Sequence, residues 1–587
     1  MDAVRQGIAG CPTQANGSKT VGRERRITRL FFIPALLALS WPTVLWAQEA
    51  TPDETLRRQQ ERERAQQERL IPDPDVRLSV PVEAPGRLPE GEAPCFVIER
   101  LELQGEGAER FSWAISATDG GELDDSPIGR CLGTQGINLV LSRAQNALVE
   151  RGFITSRVLV EPQDLSDGTL ALSLVPGRIE RIRAADPQRR HASLRNALPS
   201  GPGDILNLRD IEQALENFQR LPSTDVDIQI EPGEMPNGSD LVIDYQQGRP
   251  LRPSWSADDS GSDATGRYQS GVTLAYDNLL GINDLFYASL GKDLGGGDDG
   301  PRGNRSRTFH YSVPWGYWNL GATYSDYDYH QTIAGAFEDI VYEGSSRNIK
   351  ATLSRVILRD ATRRTTASLG GFQNRSNTLI DGEELPVQRR QVGGWEAGLE
   401  HREFLGRATL DASLFYQRGT GAFGSLPAPG EEFDEGTSRF KIVSANAELD
   451  LPFTLGQLPL RYLGEWRLQR NLTPLAPLER FSIGGRYTVR GFESGLSADR
   501  GWLIRNELEM PLGSSGQALY AGLDYGRVGG PSSEWLLGNS LGGAALGLRG
   551  SLLRFVSYDV FVATPIHEPK DFRSDSHEVG VSLYLAF

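Results

Sequence analysis

The chain has 587 residues and a formal net charge of −16, from 77 acidic and 61 basic residues. This acidic balance argues against a nucleic-acid binder, because binding phosphates requires a basic surface. A hydrophobic fraction of 39% and a mean hydropathy of −0.37 exclude a bundle of membrane-spanning helices. They do not exclude an outer-membrane β-barrel, because every second residue of its strands is polar.

The first 47 residues are typical of an export signal. Arginines between positions 23 and 29 precede residues 30–48, which carry no charge, and Ala47 marks a cleavage position. An uncleaved membrane anchor is the alternative, since the uncharged run is just long enough to span. Cys11 lies within the signal, so Cys95 and Cys131 remain as an even pair in an exported chain. We predict a disulfide between them; the alternative is two buried free thiols.

Residues 51–71 predict a helix without an apolar face. Thr51, Pro52 and Glu54 suit a helix start, and the run that follows is rich in Arg, Glu and Gln. A helix that is polar all round cannot pack into an ordinary core. It lies either in a polar cavity or in water as a solvated tail. Residues 72–94 contain six prolines and predict a linker.

Two consecutive stretches repeat one order of elements. Residues 95–176 and residues 177–247 each predict strand, helix, helix, strand, strand. In the second stretch the main helix has Leu208, Ile211, Leu215 and Phe218 on one face. The repeated order predicts a duplicated small α+β module.

Residues 248–587 change to short alternating segments separated by turns rich in Gly, Asp, Asn and Pro. In residues 443–451 and 461–469 apolar residues alternate with polar or charged ones. After an export signal, this pattern favours a transmembrane barrel with a polar lumen and about 16 antiparallel strands. The last segment alternates as well and ends in Phe587, which is typical of the closing strand of outer-membrane barrels. The predicted fold class is therefore mainly β, with the barrel preceded by two α+β modules and a polar helix.

Catalytic and cofactor motifs are weak. Residues 538–542 match GxSxG, but both flanks predict strands, whereas a nucleophile elbow needs a strand that leads into a helix. Residues 295–300 and 419–424 match GxGxxG without opening a helix, so they predict loops. The sequence predicts no enzyme, no cofactor and no metal site.

A loop motif and a strand motif in the barrel region point to an ion pair. The residues are Val489, Arg490, Gly491 and Phe492 in the loop, and Gly522, Asp524 and Gly526 on one face of a strand. The strand glycines clear space around a carboxylate that faces the lumen. Arg490 can engage Asp524 through two parallel hydrogen bonds. The alternative is a solvated Arg and a solvated Asp in a wet pore.

Together with the two modules and the barrel, these motifs resemble the outer-membrane transporters of two-partner secretion. That family lies within the wider superfamily of outer-membrane assembly factors, whose periplasmic modules are called POTRA domains. Residues 151–157, 208–223 and 311–318 add to the resemblance, which spans the chain after its signal.

The resemblance implies that residues 95–176 and 177–247 are two POTRA modules and that residues 51–71 are a plug helix. It implies an outer-membrane translocator of a Gram-negative cell that secretes an unfolded partner protein without ATP. The implied partners are a large β-helical exoprotein of haemolysin or adhesin type, outer-membrane lipid, and the barrel-assembly machinery that inserts the chain. An assembly insertase and a plain porin are the alternatives.

Overall fold

The computed structural model describes residues 52–71, 73–78, 80–81, 86–121, 124–186, 193–334, 338–572 and 574–587. The predicted signal, residues 1–47, and Thr51 of the predicted helix start lie outside the described residues. Within them, no helix is both long enough and apolar enough to cross a membrane.

Helix α1 spans Pro52–Leu70 and is polar along most of its length. Asp53 and Glu54 occupy its first turn and Arg69 its last, which is the arrangement that the helix dipole favours. The structure therefore has a helix where the residue pattern predicts one.

Two small α+β modules follow. The first contains β1 (Phe96–Val97), β2 (Arg100–Gly105), α2 (Trp113–Ser116), β3 (Cys131–Leu132), α3 (Thr134–Glu150), β4 (Arg157–Leu159) and β5 (Thr169–Val175). The second contains β6 (Arg178–Ala184), α4 (Leu194–Ala197), α5 (Leu208–Gln219), β7 (Thr224–Pro232) and β8 (Gly238–Gln247). Their sheets have the orders β2-β5-β4 and β6-β8-β7, each with one parallel and one antiparallel pairing. The two modules thus share one topology, as the repeated pattern predicts.

Each module has its own core under its long helix. In the first, Val140, Ala144 and Leu148 of α3 are fully buried against the sheet. In the second, the predicted face of α5 packs into the core; its members are Leu208, Ile211, Leu215 and Phe218. The predicted disulfide is present between Cys95 and Cys131, where it joins the chain before β1 to β3.

The remaining strands belong for the most part to one large sheet. They are β9 (Leu251–Asp258), β10 (Tyr268–Asp277), β11 (Leu285–Gly295), β12 (Gly303–Trp315), β13 (Trp318–Ala334), β14 (Asp339–Arg359), β15 (Arg363–Ile380), β16 (Glu383–Glu384), β17 (Arg390–Leu405), β18 (Ala408–Thr420), β19 (Lys441–Leu455), β20 (Leu458–Asn471), β21 (Phe481–Ile483), β22 (Leu496–Ala498), β23 (Arg500–Pro511), β24 (Gln517–Gly529), β25 (Ser540–Leu552), β26 (Val556–His567) and β27 (Glu578–Ala586). The short β16 extends β15, and β21 pairs with β22 outside the sheet. The other 16 strands close an antiparallel barrel, which confirms the predicted fold class.

The two faces of the barrel differ in polarity. On β24, Leu523 is 60% exposed on the outer face, whereas its neighbour Asp524 is 2% exposed on the inner face. Most connections at the end nearer the modules are shorter than those at the far end. The longest of these, residues 472–499, contains β21 and β22 and folds into the barrel.

The barrel closes where the last strand meets the first. β27 pairs with β9 from Ser582 opposite Asp258 to Ala586 opposite Ser254. Beyond this ladder, the N–H of Phe587 donates to the carbonyl oxygen of Pro253 at 3.1 Å. The terminal residue thus continues the seam by one backbone hydrogen bond, and its role as a barrel signal stays a prediction.

Asp125 ties the linker to the first module and generates a pH prediction. Its buried carboxylate accepts from the N–H of Leu88 at 2.6 Å and from Nη2 of Arg143, on α3, at 2.7 Å. The hydrogen bond from Leu88, followed by the hydrogen bond from Arg143 and the charge of Arg130, lowers the pKa of Asp125 below its ordinary value. The stabilisation is therefore complete above that ordinary value and is lost as the pH falls through the lowered one.

We expect Asp125→Asn to reduce the local stability of α3 at pH 7 by about 3 kcal/mol, because Arg143 stays buried without its anion. Hydrogen exchange of the α3 amides measures this local stability. The difference in protection between variant and wild type should become smaller in acid. Asp124→Asn, at the exposed neighbouring residue, is the control. Equal protection of α3 in all three proteins at pH 7 would contradict the prediction.

Candidate functional site

Helix α1 lies inside the barrel and contacts several strands. Nη1 of Arg57 donates to the carbonyl oxygen of Pro477 at 3.0 Å. Nε2 of Gln66 donates to Oγ1 of Thr273 at 2.9 Å and to Oγ of Ser289 at 2.5 Å, on the inner faces of β10 and β11. A helix without an apolar face is suited to a lumen lined by hydroxyl, amide and charged groups.

Two leucines of α1 are buried despite its polar surroundings. Leu56 is 7% exposed and packs on a cluster of lumenal tyrosines, namely Tyr327, Tyr329 and Tyr342. Leu70 is 3% exposed and packs on Ala275 and Tyr287. Apolar contacts near both ends of the helix therefore supplement the polar ones between them.

The predicted ion pair forms inside the barrel. Nε and Nη2 of Arg490 donate to Oδ2 and Oδ1 of Asp524 at 2.7 and 2.8 Å, and the backbone N–H of Arg490 donates to Oδ2 at 3.2 Å. Both side chains are 2% exposed or less. The two parallel hydrogen bonds fix the orientation of the guanidinium plane as well as its charge.

Glu507 and Arg549 extend this pair into a network, and the sequence does not predict their part in it. Glu507, on β23, accepts from Nη1 of Arg490 and from Nη2 of Arg549, on β25. Arg549 also lies over the ring of Tyr520 at 3.9 Å. Arg505 lies 3.6 Å from Glu507, so the cluster places three cations against two carboxylates. Nothing in the sequence distinguishes Glu507 from the many other charged residues of lumen-facing strands. Only its contacts with Arg490 and Arg549 in the structure identify it.

Three glycines let the loop approach the barrel wall. A Cβ on Gly522 would lie 2.3 Å from Nη2 of Arg490, and one on Gly526 would lie 2.7 Å from the side chain of Ile483. Gly491 has a φ of +94° and passes directly against the backbone of Thr564. The strand glycines thus supply the space that the motif predicts.

The apolar members of the loop motif pack into a separate cluster. Val489 and Phe492 are at most 1% exposed. They contact residues of β21, β22, β23, β24 and β25, among them Ile483, Leu503 and Leu541. The motif therefore combines one buried charge with two apolar anchors on either side of it.

The loop also binds across the seam of the barrel. Nη1 of Arg486 donates to Oδ1 of Asp259, just after β9, at 2.7 Å and to the carbonyl oxygen of Val581, on β27, at 3.2 Å. The N–H of Gly491 donates to Oε2 of Glu578, on β27, at 2.8 Å. The loop holds the first and last strands together beyond the end of their ladder.

The GxSxG match at residues 538–542 is a strand entry. Ser540 is the first residue of β25, and the next element in the described residues is the strand β26. The hairpin interpretation therefore describes this segment.

Comparison with protein families identifies the chain. A model described as haemolysin secretion/activation protein ShlB/FhaC/HecB matches residues 237–550. The chain belongs to the ShlB/FhaC/HecB family. A ShlB-type POTRA model matches residues 96–177, and a second POTRA model matches residues 178–232. This family member is an outer-membrane transporter of two-partner secretion with its POTRA modules in the periplasm.

Individual members of the family agree with this. The chain is 37% identical to the outer membrane transporter CdiB-2 of Burkholderia pseudomallei, over 92% of this chain and 95% of that protein. It is 27% identical to the hemolysin transporter protein ShlB of Serratia marcescens, over 79% of each chain. The solved structure of CdiB from Acinetobacter baumannii is 30% identical, with a TM-score of 0.79 over 91% of this chain and 98% of that one.

The close approach at Gly522 yields a prediction about the loop. Gly522→Ala should displace the guanidinium of Arg490, because the added Cβ overlaps Nη2. Breaking the buried pair should lower the hydrogen-exchange protection of residues 486–492 by at least about tenfold. Gly529→Ala, on the same strand, is the control, since its Cβ would lie 3.8 Å from Arg500. Unchanged protection in Gly522→Ala would show that the pair does not hold the loop.

Proposed function

We propose that this transporter takes up an unfolded exported polypeptide on its POTRA modules and passes it through the barrel without ATP. In this proposal residues 1–47 direct export, residues 51–71 close the lumen at rest, and residues 72–94 tether that helix. Residues 95–176 and 177–247 receive the polypeptide, and residues 248–587 form the path. The observation that carries the proposal is the polar helix α1, seated in the lumen of a barrel that belongs to a transporter family.

The contacts of α1 are suited to a removable plug. They are mainly side-chain hydrogen bonds, such as that of Gln66 to Thr273. Water can replace such partners when the helix leaves, so each bond stabilises the closed state only by about 1 kcal/mol. The buried Leu56 and Leu70 supply the apolar contacts that keep the helix in place at rest.

The module sheets offer edges to an extended chain. In the described residues, β2 and β4 flank the first sheet, and β6 and β7 flank the second. An unfolded polypeptide can add a strand to such an edge through backbone hydrogen bonds, which require little of its sequence. Folding of the polypeptide outside the cell would then bias its movement outward in the absence of ATP. A large exoprotein fits this route, and the family includes a hemolysin transporter.

The test compares the culture supernatant and the outer membrane of cells with and without the gene. We expect one large exported protein to disappear from the medium while other outer-membrane barrels keep their levels. A joint fall of many barrels would instead make the protein an assembly insertase. If neither changes while the transporter is expressed, the secretion proposal fails.

Arg490→Ala should reduce secretion of that exported protein by at least about tenfold, because Asp524 and Glu507 stay buried without their shared cation. We propose that the pair anchors the loop that shapes the path. The level of the barrel in outer-membrane fractions should stay normal. Arg500→Ala, at an exposed arginine of β23, is the control. Normal secretion by Arg490→Ala would remove this role.

Leu56→Ala should loosen the plug. Removing this side chain from the tyrosine cluster costs about 2–5 kcal/mol, as for other buried leucines. The measurement is single-channel conductance in planar bilayers, where the variant should spend more time in an open state. Gln67→Ala, at an exposed position of α1, should behave like wild type. Equal open times in all three proteins would mean that Leu56 does not retain the helix.

A further inference from the structure

Residues 73–78, here called the exit segment, run from the end of α1 to the junction between the second POTRA module and the barrel. Asp73 pairs with Arg364 at 2.6 Å and with Arg402 at 2.8 Å, at the periplasmic ends of β15 and β17. Val76 and Leu78 pack against the core of the second module. Arg77 lies over the ring of Phe404, on β17, at 3.7 Å. The exit segment is thus held at one acidic, one basic and two apolar side chains.

The backbone of Val76 is bound by two charged side chains. Its N–H donates to Oε1 of Glu216, on α5, at 3.3 Å. Its carbonyl oxygen accepts from Nη2 of Arg359, at the end of β14, at 3.0 Å. A carboxylate and a guanidinium here take the places of the acceptor and donor that a neighbouring strand would supply.

Leu78 repeats the arrangement. Its N–H donates to Oε1 of Glu212 at 2.7 Å, and its carbonyl oxygen accepts from Nη2 of Arg209 at 3.3 Å. Both partners lie on α5. Residues two apart present their backbone groups to the same side of an extended chain, so the spacing matches that of a strand edge. The four side chains form what we call the receptor groove: Arg209, Glu212, Glu216 and Arg359.

The receptor groove is buried and charged. The side chains of Glu212, Glu216 and Arg359 are 0%, 7% and 6% exposed. Arg359 pairs with both carboxylates, at 3.3 Å to Glu212 and 2.7 Å to Glu216. If the exit segment left without a replacement, carboxylate oxygens and guanidinium N–H groups would lose partners in a desolvated site, which is costly. Another extended chain would restore every one of those bonds.

We propose that the receptor groove is a binding site for the polypeptide in transit and that the exit segment occupies it at rest as a competitor. The site takes an extended stretch with an acid at the first position and apolar side chains at the fourth and sixth, as in Asp73, Val76 and Leu78. Binding of such a stretch displaces the exit segment and frees the tether of α1. This inference rests on the proposed function and adds a second site to the module edges.

The direct test uses a fluorescent peptide that copies residues 71–81 and the full-length transporter in detergent. The transporter variant Val76→Pro/Leu78→Pro lacks both N–H groups that the groove accepts, so its own segment competes poorly. A tethered segment acts at an effective concentration of about millimolar, so we expect the peptide to bind this variant at least about tenfold more tightly than wild type. Equal Kd values for the two proteins would overturn the proposal.

Three controls separate the groove from other sites. A transporter with Val80→Pro, two residues beyond the last bonded position, should bind the peptide like wild type. A peptide with proline at positions 76 and 78 should lose binding to the double-proline transporter. Adding Glu212→Ala and Glu216→Ala to that transporter removes both acceptors and should also abolish binding, and retention of binding would place the peptide elsewhere. Altered migration of the barrel on unheated gels would reveal a misfolded variant. In that case a transporter with Glu216→Gln alone replaces the misfolded variant in the test.

The last measurement concerns the occupant. The exported protein found by the supernatant comparison, unfolded in urea and diluted, should displace the peptide from the double-proline transporter. Binding of that protein without displacement would leave the groove as a latch for the linker and overturn its role in transit. Secretion by the wild-type chain is scored separately: its absence refutes the proposed function, whereas secretion without peptide discrimination refutes only the groove.

Discussion

A closed barrel of 16 strands encloses more space than its own inward side chains can fill, and this constraint governs the rest of the molecule. The strands satisfy their backbone groups by pairing all the way round, as a membrane requires. Their inner faces then present a polar surface around a wide lumen. Here α1 and the loop of residues 472–499 occupy that lumen, and their charges and hydroxyl contacts are matched to its walls.

The two occupants are held in different ways, in keeping with different roles. The loop is fixed by a desolvated network around Arg490. Disrupting this network leaves buried charges without their partners. The helix is held by dispersed polar contacts, such as that of Gln66 to Thr273, and by two buried leucines. Strong local anchoring suits a permanent part of the wall, whereas many small contacts suit a part that leaves.

Local patterns foretold much of this structure, and non-local ones did not. Alternation along β24 placed Asp524 in the lumen, and the flanking glycines pointed to Arg490 as its partner. Glu507 lies on a strand with the same alternation as its neighbours, so its role appears only when three strands and the loop meet. The burial of Glu216 on α5 cannot be derived from the sequence of that helix, because Arg359, its buried partner, comes from a distant strand. Charged residues that are buried at a contact between domains do not alter the hydrophobic periodicity of either element, so the sequence pattern does not reveal them.

The contacts of the loop across the seam have a consequence for assembly. Arg486 reaches Asp259 and Val581 together, and Gly491 reaches Glu578, so the seat of the loop is built from both ends of the barrel sequence. A nascent barrel that lacks its last strand cannot complete that seat. The loop can therefore reach its final position in the lumen only after β27 has paired with β9, late in the assembly of the barrel.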